Sequence, residues 1–86
     1  MQTQAQVEVL FFAAARERAG TDRVALPLSA GETLQQLSEG LQARYPALRP
    51  LMPYLRFAVN EAFERDLGRA LADGDTVALI PPVAGG

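Results

Sequence analysis

Val83-Ala84-Gly85-Gly86 follow Pro81-Pro82 and a short apolar run, and Gly86 is the last residue of the sequence. Two adjacent glycines carry no side chain, so such a segment fits a channel too narrow for any other residue pair. The chemistry on offer is that of the terminal carboxylate itself. Gly86 is therefore the candidate reactive residue, and Gly85, Ala84, Val83, Pro82 and Pro81 form the segment that presents it. Six extended residues span at most about 20 Å, enough to enter a deep active site, and the prolines stiffen the first part of that reach. Frayed termini are common in domains of every kind. The glycine pair alone does not separate a working terminus from one of those.

The remaining residues offer little chemistry of their own. The sequence has no cysteine and no histidine, which removes thiol chemistry, the usual general base and the commonest metal ligand. All of its cationic side chains are arginines, so no lysine is available for a Schiff base. Asp73-Gly74-Asp75 is spaced like the start of a calcium loop, but the ligands that should follow are missing; a plain turn is expected, and no metal site. Glu61 and Glu64 read as surface carboxylates rather than an acid/base dyad, because nothing forms a pocket around them. No self-sufficient active site is expected.

Composition narrows the partners further. Eighty-six residues make one small domain, with room for a single core. A net charge of −2 argues against a nucleic-acid partner, which calls for a basic face. No apolar run approaches the ~20 residues of a membrane span, and no basic leader precedes an apolar stretch. The expectation is a cytoplasmic protein with no membrane or nucleic-acid contact.

The elements that must position the carboxyl end are legible from periodicity. Residues 1–80 read as one domain and 81–86 as a flexible tail. Val7, Val9 and Phe11 alternate along a first strand, Ala13 to Ala19 can form a short helix, and Gly20 stands where a left-handed cap belongs. Val24, Leu26 and Leu28 phase a second strand, with Pro27 marking it as an edge. Thr33 and Gln36 make a capping box for the main helix, whose apolar stripe is Leu34, Leu37, Leu41 and Tyr45. Gly40 within that helix is expected to allow close packing against a neighbour. Pro46 ends the helix, and the stretch with Pro50 and Pro53 is expected to be an irregular crossover. Leu55, Phe57 and Val59 phase a third strand, Asn60-Glu61 turns the chain into a short strand at Phe63, and Leu67 to Leu71 reads as one helical turn. Val77 to Ile80 is the last strand. This order gives an α+β domain: a mixed sheet of about five strands packed on one main helix, the β-grasp or ubiquitin-like arrangement.

That arrangement implies a second candidate surface. Strand alternation turns Leu10 and Phe12 away from the helix, and Ile80 with them. With the first and last strands adjacent at the sheet centre, these three residues form an exposed apolar patch with Phe63 at its margin. Such a patch marks a docking surface, and it lies at the root of the tail. The run Ala14-Ala15-Arg16-Glu17-Arg18 reads as a solvated helix face on which Arg16, closest to the first strand, is placed to meet a partner carboxylate.

Val9-Leu10-Phe11-Phe12-Ala13, Arg16-Glu17, Gly20-Thr21-Asp22, Val59-Asn60 and Asp73-Gly74-Asp75-Thr76-Val77-Ala78 through Pro81-Pro82-Val83-Ala84-Gly85-Gly86 together resemble the small subunit of molybdopterin synthase. The resemblance covers the domain in order, and its ending is the specific part. It implies a sulfur carrier. An E1-like enzyme would use ATP to adenylate the Gly86 carboxylate, and a sulfur-donor protein would convert the anhydride to a thiocarboxylate. The large synthase subunit would then receive the tail and pass its sulfur to cyclic pyranopterin monophosphate, building the molybdopterin dithiolene. The family's heterotetramer places two small subunits at opposite ends of a large-subunit dimer, and the large subunit supplies the catalytic side chains. No cofactor is expected on this chain; ATP is consumed by the activating enzyme. Two alternatives would also use a terminal carboxylate: a carrier of the same chemistry feeding thiamin thiazole or tRNA thiolation, which the proline pair disfavours, and a protein modifier joined to target lysines.

Overall fold

The computed structural model describes residues 4–82. The first strand, β1 (Gln6–Phe11), buries Val7, Val9 and Phe11 on one face, as alternation requires. Helix α1 (Ala13–Ala19) follows at once and ends on Gly20, whose φ of 77° supplies the left-handed cap that glycine adopts without a Cβ penalty. Ala15 on this helix is fully buried, so α1 is not a wholly solvated face: its alanine joins the core while Arg16, Glu17 and Arg18 stay exposed. Strand β2 (Arg23–Pro27) returns antiparallel along β1. It forms one sheet edge, where the donor that Pro27 lacks is not needed.

The main helix, α2 (Leu34–Arg44), begins at Thr33 with the full reciprocal capping box. The Thr33 hydroxyl accepts the Gln36 N–H, and the Gln36 side chain accepts the Thr33 N–H. The next donors are satisfied from outside the helix. Leu34 N–H donates to the Arg69 carbonyl at 3.0 Å and Gln35 N–H to the Leu67 carbonyl at 2.8 Å. This explains why 67–71 forms no helical turn. Its carbonyls are committed to the start of α2, and Ala70 bridges Thr33 as an isolated β pair. Leu34, Leu37 and Leu41 are buried, and the half-buried Tyr45 meets the Phe11 ring edge-on at 5.4 Å. Gly40 does not serve close packing: it is exposed, and nothing lies within 4 Å of a Cβ placed there.

The proline-rich stretch is not irregular either. Pro46–Tyr54 winds as a 3-10 segment, because the fixed φ of proline suits helical backbone and a tighter winding needs fewer i→i−4 donors. All three prolines face out while Leu48 is buried and Leu51 and Met52 pack on the core. Strands β3 (Arg56–Val59), β4 (Ala62–Glu64) and β5 (Thr76–Ile80) complete a five-stranded sheet in the order β2-β1-β5-β3-β4. β1 and β5 pair in parallel at its centre, and the other neighbours are antiparallel. One face of this sheet, carrying Val7, Val9, Phe11, Phe57, Val59, Val77 and Leu79, closes on α2 as the core. No helix among the described residues is long and apolar enough to cross a membrane.

Candidate functional site

The opposite face of the sheet is open, and the strand register fixes what it shows. Leu10 pairs with Ala78 across β1 and β5, Ala78 with Ala58 across β5 and β3, and Ala58 with Phe63 across β3 and β4. Cross-strand partners share a face, so these four residues form one row. In the next row Ile80 stands opposite Arg56. Phe12 continues the β1 alternation, its N–H donating to the Leu79 carbonyl at 3.2 Å.

The row has large side chains at its ends and two alanines in its middle. That contrast makes a depression of about 290 Å³ walled by Leu10, Phe12, Phe63 and Ile80, with Ala58 and Ala78 as its floor. Phe12 is 47% exposed and Phe63 63%, so its rim stands well clear of the backbone. The expected apolar patch therefore exists as a concave surface, with Phe63 forming one wall rather than a margin. Glu61 and Thr76 close one end. Beyond Leu10 the face turns polar, with Arg23 and Glu8 paired at 3.5 Å. That exposed pair contributes little stability; its effect is to bound the apolar area.

Arg16 is not part of this wall. It sits on the exposed side of α1, tied to the rim only through the backbone, its N–H donating to the Phe12 carbonyl at 3.4 Å. Ala13, between them, takes φ 48°, a left-handed conformation that costs an alanine about 1–2 kcal/mol. Neither do Glu61 and Glu64 act together: the Glu64 carboxylate instead binds Arg69 Nη1 at 3.1 Å.

Strand β5 carries the floor and then runs toward the carboxyl end. Pro81 is buried and Pro82 exposed. Val83, Ala84, Gly85 and Gly86 lie outside the described residues. The start of β5 is anchored by side chains that the periodicity of the sequence did not single out. Asp75 accepts from the Asn60 amide at 2.9 Å and from the Ala72 N–H at 2.8 Å. Asn60 in turn accepts the Thr76 N–H at 2.9 Å. The Asn60 bond first and the Ala72 bond second hold the Asp75 carboxyl below its ordinary pKa against an opposing cost of burial, with the Arg69 charge as the least contribution. The Asn60-Glu61 turn is legible in the sequence; the Asp75 partner, 15 residues away, is not.

Comparison with known proteins gives this geometry a family. The ThiS family profile matches residues 9–86. Among curated proteins, the molybdopterin synthase sulfur carrier subunit of Mycobacterium tuberculosis is 42% identical over 94% of this chain and 98% of its own length. That of Chlamydomonas reinhardtii is 40% identical over 94% and 99%. Among solved structures, small archaeal modifier protein 1 of Haloferax volcanii superposes with a TM-score of 0.81 at 30% identity, covering 92% of this chain and 99% of that one. The complex of subunits 1 and 2 of the molybdopterin-converting factor from Helicobacter pylori contains a chain that matches with a TM-score of 0.72 at 30% identity, over 94% and 99%. By profile, by relatives of matching length and by its ubiquitin-like β-grasp fold, the chain belongs to the ThiS family, and its similarity there runs to the molybdopterin synthase sulfur carrier subunits.

Proposed function

We propose that this protein is the sulfur carrier of a molybdopterin synthase and that the Gly86 carboxyl is where the sulfur rides. One observation carries the reading. The family match extends through residue 86, and the strand that leads to that end floors an apolar depression. A partner that grips Leu10, Phe12, Phe63 and Ile80 meets the tail at the edge of its grip. The large synthase subunit is the proposed occupant, supported by the two-subunit complex to which this fold is similar.

The chemistry follows from what the chain lacks. A carboxylate is a poor electrophile, so an E1-like enzyme transfers AMP from ATP to the Gly86 oxygen and releases pyrophosphate. Hydrosulfide delivered by a donor protein then attacks the carbonyl carbon and expels AMP, leaving a thiocarboxylate. Within the large subunit that sulfur displaces an oxygen substituent from a side-chain carbon of cyclic pyranopterin monophosphate, and water cleaves the acyl C–S bond of the resulting thioester, leaving sulfur on the pterin and regenerating the carboxylate. No side chain of this protein takes a proton in these steps. Its share is the docking face, the reach of the tail and the terminal atom. The domain, residues 1–80, is the handle, and 81–86 is the arm.

Intact mass spectrometry tests the proposal. Incubation with ATP, the cognate activating enzyme and a sulfide source adds one oxygen-to-sulfur exchange, which fragment spectra place on Gly86. Adding the large subunit and pterin precursor returns the original mass. A sulfur adduct on another residue, or none with an active activating enzyme, defeats the mechanism. The similarity to small archaeal modifier protein 1 favours a second reading, conjugation to target lysines. Branched Gly-Gly adducts in the host proteome would identify it.

A further inference from the structure

A second concave surface shares the Phe63 wall with the first. A groove of about 530 Å³ runs between the end of the 3-10 segment, the start of β3 and the residues after β4. Met52, Leu55, Phe63 and Leu67 supply its apolar walls, and Arg56 and Arg65 supply charge. Leu67 is 39% exposed, so this apolar surface is uncovered among the described residues. The Arg56 guanidinium lies over the Phe63 ring, 5.7 Å from its centroid, in cation–π contact.

The electrostatics are one-sided. Among the described residues the ion pairs are Glu8–Arg23 and Glu64–Arg69, so neither Arg56 nor Arg65 has a carboxylate partner there. Glu64 is the one acid on the wall, and it is engaged twice: one oxygen binds Arg69 at 3.1 Å, and the other accepts the Asp66 N–H at 3.2 Å. In a chain of net charge −2, this groove is locally cationic.

The backbone adds a third feature. Asn60 and Glu61 have φ of 51° and 72°, the conformation of a two-residue type I′ hairpin. In such a hairpin Ala62 and Glu64 exchange their hydrogen bonds with β3, and the Phe63 N–H and C=O point outward. β4 is the last strand of the sheet, so that pair of groups is open to an added strand.

We propose that this groove is a docking channel for an extended partner segment in which apolar residues alternate with carboxylates. A period of two sends alternate side chains to opposite sides. The apolar set would enter the trough beside Met52 and Leu67, the acidic set would meet Arg56 and Arg65, and the backbone would pair with Phe63. This groove shares only the Phe63 wall with the depression, and the proposal stands whether or not the chain carries sulfur.

The test is an NMR titration of the isotope-labelled full chain with the blocked peptide Asp-Leu-Glu-Leu-Asp-Leu and its counterpart Lys-Leu-Lys-Leu-Lys-Leu. Shifts from the acidic peptide are expected to centre on Met52–Phe57 and Phe63–Leu67 and to fade as salt rises. The basic peptide should leave the groove unshifted. The double variant Arg56→Glu, Arg65→Glu should bind the acidic peptide about tenfold more weakly. The milder Arg56→Gln, Arg65→Gln pair provides the same comparison if charge reversal perturbs the fold. Equal shifts with the basic peptide, shifts centred on Leu10 and Ala78, or unchanged affinity in both double variants would overturn the proposal. Several-fold tighter binding by a chain lacking residues 83–86 would overturn it too, by assigning the groove to the chain's own carboxyl end. Sulfur loading at Gly86, read by mass on the same variants, separates failure here from failure of the carrier reading.

Discussion

Asn60 and Asp75 join the hairpin turn after β3 to the start of β5 through a 2.9 Å hydrogen bond from amide to carboxylate. The contact orders the entry to the strand that floors the depression. It also makes stability depend on pH. The folded-state pKa of Asp75 is depressed, chiefly by the Asn60 bond, so between the folded and unfolded values the unfolded chain binds more protons. The stabilisation is fully present above the unfolded value of about 3.9 and fades as pH falls through the lower folded one. Asp75→Asn, which keeps the shape and loses one acceptor, should cost about 1 kcal/mol at neutral pH. Urea unfolding should show that deficit shrinking below about pH 4. An equal deficit at both pH values would count against the pairing.

Helix α2 yields opposite predictions at two of its residues. Thr33→Ala removes the hydroxyl that accepts the Gln36 N–H and should destabilise by about 1 kcal/mol. Gly40→Ala meets open space and gains helix propensity, so it should stabilise by up to about 1 kcal/mol. Thermal unfolding checks both, and a destabilised Gly40→Ala chain would mean that the site is not free.

The contrast at Gly40 shows what periodicity carries and what it does not. Alternation in Val7-Val9-Phe11 and the Thr33–Gln36 box act over a few residues, and both are seen as expected. The adjacency of the first and last strands at the sheet centre and the ubiquitin-like fold follow from the same signals. Other segments depend on partners beyond that range: residues 67–71 give their carbonyls to the start of α2, and Ala15 is buried on a helix whose Arg16, Glu17 and Arg18 are exposed. The 3-10 winding of Pro46–Tyr54 has a local cause instead, the fixed φ of its prolines. The same limit applies at the candidate site. Leu10, Phe12, Ile80 and Phe63 were legible as outward-facing, but the hollow between them needed Ala58 opposite Ala78, a matter of strand register. Arg56 and Arg65 are not legible as a pair in the sequence, because a lone arginine has no local signature.

That hollow is open to a direct perturbation. Ala78 is 9% exposed at the floor of the depression, so Ala78→Leu fills the space from below while leaving the core face untouched. The variant should fold normally and bind the large subunit at least about tenfold more weakly, about 1.4 kcal/mol. Phe12→Glu and Ile80→Glu should weaken binding as well, because docking would strip water from a charge. Calorimetry on all three variants checks this, and unchanged affinity with the fold confirmed would move the interface elsewhere.

Removing Gly86 should separate folding from chemistry. The buried core of the described chain runs from Val7 to Leu79, so truncation after Gly85 should leave the unfolding transition where it is. Sulfur loading should vanish, because in the proposed mechanism the terminal carbonyl is matched to an activating site that a shortened arm no longer reaches. Gly85→Ala asks a finer question, since it keeps the length and the carboxylate and adds one methyl. In a channel shaped for glycine that Cβ would clash, so adenylation and transfer should fall steeply while calorimetric docking through Phe12 and Ile80 is largely retained. Rates from single-turnover transfer, set beside docking affinity for both variants, check the division. A truncated chain that still supports molybdopterin formation would remove Gly86 from the mechanism. A Gly85→Ala chain that transfers sulfur at full rate would show instead that the channel has room the glycine pair does not need.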